Sequence, residues 1–145
     1  MGQQQLLLIV LGVIIVGIAI AVGISMFKSS AVDANRSAVI SDLTNLASKA
    51  QRYYRTPVEL GGGGQNFRGF ELSPLDTGNA NGSYSLSETE PNETDYVPGD
   101  TASIANDAQI IYIIGCGKEK GNDGNNPVKH YAIVTPDSIR IGRLN

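Results

Sequence analysis

One histidine and one cysteine stand among the 145 residues, and neither lies in a constellation suited to chemistry. His130 sits in the strand-like run KHYAIV with no companion acid or base, so it reads as a surface or packed strand residue rather than a proton-transfer group. Cys116, in IIGCG, has no second cysteine and no flanking basic motif, and reads as a buried structural thiol. These counts exclude a disulfide framework, a Cys/His zinc site and c-type haem attachment within a single copy. Any metal would have to be held by oxygens. The oxygen-rich run GNDGNN at 121–126 is the place to look, but it lacks the spacing and terminal Glu of an EF-hand and reads as a turn. No catalytic, cofactor-binding or metal-ligating residue is therefore expected, and the chain reads as a non-enzyme. Three Asn-x-Ser/Thr triplets mark Asn35, Asn81 and Asn92 as candidate glycosylation acceptors, with Asn81 and Asn92 expected to be better exposed than Asn35. Six tyrosines and three phenylalanines come with no cofactor motif and are read as packing residues.

Charge and composition are unevenly spread. The formal net charge of −3 argues against a broad basic surface, so no nucleic acid is expected as a partner. Residues 1–27 carry no Asp, Glu, Lys or Arg, whereas all six prolines and 13 of the 17 glycines fall after residue 56. Between 28 and 55 five basic residues face two acidic ones; between 56 and 145 six basic residues face twelve acidic ones. A basic arm and an acidic head would attract one another between copies. Exposed pairs contribute only about 0–1 kcal/mol each, so charge tunes association rather than driving it.

The apolar segment, 6–27, has Ser25 as its one polar side chain. As a helix rising about 1.5 Å per residue it measures roughly 33 Å, close to the hydrocarbon thickness of a bilayer. Ala19-Ile20-Ala21 looks like a signal-peptidase site, but MGQQQ has no Lys or Arg and the apolar run is longer than a secretory signal requires. The segment is expected to be retained. Gly12, Gly17 and Gly23 interrupt it, and Gly17/Ala21 and Ala19/Gly23 form small-xxx-small pairs that let helix backbones approach closely. From 28 to 55 the pattern becomes amphipathic with no breaking residue. Val39, Leu43, Leu46, Ala50 and Tyr53 step by four and three along one stripe, and Ser37, Ser41, Thr44, Ser48, Arg52 and Arg55 take the other side. Pro57 ends the run. One helix over 3–55 would be about 80 Å long, too long for a head of some 90 residues to bury. Lipid or copies of the same helix must cover the rest.

The remainder, 56–145, reads as short strands between turn signals. Strands are expected near 84–88, 109–115, 129–135 and 138–144, with a tight turn at Pro136-Asp137, a loop at 116–127 and an acidic irregular loop at 87–105. The glycines at 61–64 are expected to form a flexible exit from the helix. The result is an α+β chain in three parts: an apolar membrane or filament-core helix (1–27), an amphipathic helix packing on the head (28–55), and a Gly-rich antiparallel β head (56–145). The sheet needs a cover for its apolar face, and the stripe from Val39 to Tyr53 supplies one.

With those parts in place, the chain resembles the type IV pilins and the pseudopilins of type II secretion. The likeness spans the architecture, while its sequence motifs are confined to 1–30. It implies a helical homo-oligomeric filament at the cell surface, built from subunits first held in the cytoplasmic membrane, and a prepilin peptidase that cleaves a leader and methylates the new N-terminus, with assembly machinery to follow. Two registers fit. If Met1 is the mature N-terminus, Gln5 stands where the family usually has Glu; if Gly2 ends the leader, the mature chain begins at Gln3. A glutamine accepts a hydrogen bond but cannot neutralise a neighbouring amine as a carboxylate does. Gln3, Gln4 and Gln5 would then form an amide network. The family's frequent proline in the first helix and its C-terminal disulfide loop are missing. By this reading the assembly surface comprises Met1, Gln3, Gln4, Gln5, Leu6, Gly12, Gly17, Ala19, Ala21 and Gly23. The alternatives are a single-pass membrane-anchored adhesin or binding module, and a short pseudopilus component of a secretion system.

Overall fold

A computed structural model describes residues 2–92, 94, 103–121 and 123–145. Helix α1 runs unbroken over Gln3–Arg55 and is followed by a 3-10 turn at Val58–Leu60 and four strands: β1 Gly82–Ser87, β2 Ile111–Lys120, β3 Pro127–Val134 and β4 Ile139–Arg143. The strands form one antiparallel sheet in the order β1-β2-β3-β4. The α+β architecture expected from the sequence, a long helix laid on a small antiparallel meander, is what forms.

Amphipathicity explains the docking. Val39, Leu43, Leu46, Ala47 and Ala50 are the buried residues of α1, and Tyr53 and Tyr54 pack half-buried against the same core. Strand alternation supplies the other side: Tyr84 and Leu86 of β1, Ile111 and Ile113 of β2, and Ala132 and Val134 of β3 face the helix, closed off by Phe67, Phe70, Leu72 and Ile104 from the connections. Ser37, Ser41, Thr44 and Ser48 lie on the exposed side, and all but Ser41 return a hydroxyl bond to the carbonyl four residues back.

The structure departs from the sequence expectation in two places. Strand β2 continues through 116–120, where a loop was expected, and β3 begins at Pro127, so the connection shrinks to 121–126. Gly115 and Gly117 weaken strand propensity, yet they are what permits the extension, because the strand crosses α1 closely. A Cβ at Gly115 would lie 2.9 Å from Val39 Cγ1, and one at Gly117 would lie 2.0 Å from Asn35 Oδ1. The glycines at 61–64 form a hydrogen-bonded turn rather than a loose exit. The N–H groups of Gly63, Gly64 and Gln65 donate to the last helical turn and its cap, at Tyr53 O (2.9 Å), Thr56 O (3.0 Å) and Tyr54 O (2.8 Å). Any side chain at Gly62 or Gly63 would run into Thr56 or Asn66. The expected acidic loop at 87–105 lies partly outside the described residues; at its described ends Glu88 accepts from the backbone N–H of Ala105 (2.7 Å) and Asn106 (3.2 Å).

Candidate functional site

Beyond the head, α1 is a bare apolar rod. Every large apolar side chain between 6 and 27 is exposed, from 49% at Leu11 to 82% at Phe27. This helix is long and apolar enough to cross a membrane. The glycines in it serve no packing purpose within the chain, since a Cβ at Gly12, Gly17 or Gly23 would meet nothing within 4 Å. Each costs about 1 kcal/mol of helix stability relative to Ala, and the fold of one copy returns nothing for it.

Their placement around the axis is informative. With about 100° between successive residues, Gly12, Ala19 and Gly23 fall on one flank and Gly17 and Ala21 on nearly the opposite one. Val10 shares the second flank, falling between Gly17 and Ala21 around the axis, with Leu6 and Ile24 about 20° beyond Gly17; the other bulky side chains occupy the remaining sectors. The first flank carries only small residues from 12 to 23, whereas the second does so over the single turn 17–21. Gln3, Gln4 and Gln5 form the exposed first turn, which has no acidic residue and no side-chain cap, with Gly2 as N-cap. Met1 lies outside the described residues.

The other half of α1 is stitched to the head along its length. Val39, Leu43, Leu46 and Ala50 are buried as the stripe required, and Tyr53, half-buried, donates to Arg68 O at 2.8 Å and stacks obliquely on Phe70. Gln51 donates to Thr135 O (2.9 Å) and Tyr54 to Gln109 Oε1 (2.7 Å). Two polar clusters were not anticipated. Asp42, on the edge of the stripe, accepts three bonds at one oxygen, from Tyr84 Oη (2.7 Å), Asn79 Nδ2 (2.8 Å) and Asn81 Nδ2 (2.9 Å). Burial raises its pKa, but the three donors outweigh burial and hold it below the usual carboxylate value. Arg36, one and a half turns earlier, donates to Asn145 O at 2.8 Å and lies 3.4 Å from His130 Nε2, while His130 Nδ1 lies 3.3 Å from Gly142 O. His130 is 5% exposed. Desolvation lowers its pKa first, and the charges of Arg36 and Arg143 add to that against the opposing bond to Gly142.

A sequence pattern could have flagged Asp42 as a carboxylate beside an apolar stripe. Its donors come from 79–84, where Asn79 and Asn81 look like ordinary turn residues. The glycosylation candidates are also drawn into packing. Asn35 Nδ2 donates to Asn81 O (2.9 Å) and its Oδ1 accepts from Glu119 N (3.3 Å). Asn81, expected to be the more open, is half-buried with its Nδ2 on Asp42, and Asn92 is exposed. Cys116 is a buried thiol that forms no disulfide among the described residues, and its Sγ donates to Gly117 O at 3.8 Å. Among the described residues no group of His, Cys, Asp and Glu is placed to hold a metal ion. Comparisons with family models, curated proteins and solved structures find no significant match to this chain.

Proposed function

We propose that the chain is a structural subunit of a type IV pilus-like surface filament, held in the cytoplasmic membrane by residues 6–27 before assembly and polymerising through that helix afterwards. One observation carries the reading: the apolar half of α1 is wholly exposed while the same unbroken helix packs into the core of a folded head. Such a rod has no stable place in water. The hydrophobic effect disfavours its exposure at roughly 25 cal/mol per Å² of apolar surface.

Lipid satisfies that demand for a monomer, and a bundle of sibling helices satisfies it for a polymer. The step between them gains little from burial, because both surroundings are apolar, so close backbone packing must bias it. Small residues on opposite sides of the rod, Gly12, Ala19 and Gly23 on one and the Gly17–Ala21 turn on the other, favour a polymer, in which each helix touches neighbours on more than one side, over a simple pair. The Gln3–Gln5 turn would meet neighbouring amide groups in the core. Prepilin peptidase and pilus assembly machinery are the partners this reading calls for, and neither cofactor nor nucleic acid enters it.

A single-pass membrane-anchored adhesin or binding module that never polymerises is the second reading, favoured by the membrane-length helix alone. A short pseudopilus of a secretion system is a variant of the first. Electron microscopy of material sheared from cells expressing the chain, with antibody labelling of the head, separates them. Regular labelled fibres are expected. Recovery of the chain solely as detergent-extracted monomer would overturn the filament reading and leave the anchor.

A further inference from the structure

The unexpected C-terminal part of β2 brings charged residues to a place the sequence does not suggest. As β2 advances it retraces α1 backwards, Gly115 lying against Val39 and Gly117 against Asn35, whose Oδ1 also takes the Glu119 N–H. At the end of this descent Lys120, Gly121 and Gly124 face Ser25, Lys28, Ser29, Val32 and Asp33 across a cleft of about 280 Å³. Ser25 belongs to the last turn of the apolar segment. The cleft thus straddles the boundary at which uninterrupted hydrocarbon side chains give way to charge.

Two cations and one carboxylate line it, and neither Lys28 nor Lys120 forms an ion pair among the described residues. The nearby Asp123 is occupied within its own turn, accepting from the N–H groups of Asn125 (3.1 Å) and Asn126 (3.0 Å).

We infer that this cleft seats the headgroup of an anionic phospholipid, with Lys28 and Lys120 on its phosphate and the β2–β3 hairpin resting on the bilayer surface. The inference rests on the membrane-held state proposed above. If 6–27 spans the hydrocarbon, Lys28 and the hairpin end stand at headgroup depth, where each lysine near an anionic surface strengthens binding by about five-fold. The acyl chains would continue along the apolar helix below the cleft.

The chain has no tryptophan, so one introduced residue is a unique reporter. Ile24→Trp, at an exposed site near the cleft, is placed in the full-length chain and reconstituted in vesicles of phosphatidylcholine, phosphatidylglycerol or mixtures, with one lipid brominated at a time. Quenching then gives the relative affinity of the two lipids at that point on the helix. A preference for phosphatidylglycerol of five-fold or more is expected, falling to near unity in Lys28→Gln/Lys120→Gln and absent for a reporter at Ile14→Trp in mid-span. Equal quenching by both lipids, or a preference unchanged in the double variant, overturns the inference. Flotation of the same vesicles is read separately: a chain that does not float with them overturns the membrane-held state itself, whereas flotation without lipid preference overturns the headgroup site alone.

Discussion

Removing the carboxylate at Asp42 is expected to loosen the head from its helix by a measurable and pH-dependent amount. The side chain joins α1 to β1 and to the turn before it through three donors on one oxygen. A hydrogen bond to a charged group contributes about 1.5–3 kcal/mol net. The three bonds share one acceptor at a half-buried site, so they do not sum, and the bond from the buried Tyr84 sets the scale. Asp42→Ala is expected to cost about 3 kcal/mol, and Asp42→Asn about half of that, because the amide still accepts but carries no charge. Tyr84→Phe should cost about 2 kcal/mol in the native background and far less in Asp42→Ala, a coupling of about 1 kcal/mol or more. Urea unfolding of the full-length chain in detergent, followed by the near-ultraviolet dichroism of its tyrosines, gives all four corners of the cycle. The pH arm has a definite sign. A carboxylate held below its ordinary pKa stabilises the fold above about pH 4, and that contribution is lost as pH falls through the folded-state value. The native chain should therefore lose stability below pH 4 more steeply than Asp42→Asn. Additive costs for Asp42→Ala and Tyr84→Phe, or parallel acid profiles for the native chain and Asp42→Asn, would refute the cluster as a clasp.

Three further outcomes are expected. Gly115→Ala pushes a methyl to within 2.9 Å of Val39 Cγ1, 3.0 Å of Tyr84 Cε1 and 3.2 Å of Leu43 Cδ2, and should cost about 1–3 kcal/mol in the same unfolding measurement. His130 is held neutral in the fold, so as pH drops below about 6.5 the unfolded chain takes up a proton that the folded chain refuses and stability falls, until folded His130 itself protonates; hydrogen exchange at the amides of β3 and β4 should quicken across that window in the native chain and not in His130→Gln. Gly17→Leu or Ala21→Leu should reduce fibre recovery from cells while leaving head stability unchanged, and normal fibres from both variants would count against close helix packing there.

Much of the fold was legible because it follows from periodicity. The stripe Val39, Leu43, Leu46, Ala50 is a spacing rule, and it identified the buried face of α1; alternation and turn residues located four strands in the observed order. The strand limits at Gly115 and Gly117 were not legible, since glycine signals a break locally and only the proximity of Val39 and Asn35 shows why no side chain fits. The same holds for 61–64, whose backbone bonds to the helix end depend on coordinates rather than composition. The exposed rod was readable from the absence of charge in 1–27. Asp42 and the Arg36–His130–Asn145 contact were not, because each joins residues tens of positions apart whose types are individually ordinary.

The absence of any break between Gln3 and Arg55 ties the azimuth of the head to that of the rod. One residue inserted around 28–31 would raise the head by only about 1.5 Å but would swing it by about 100° about the axis, turning both small flanks away from whatever the head faces. An insertion of seven residues would restore the phase to within about 20°. Length variation in this stretch is therefore felt first as torsion, and a lineage that lengthened its stalk would be expected to do so in near-whole heptads.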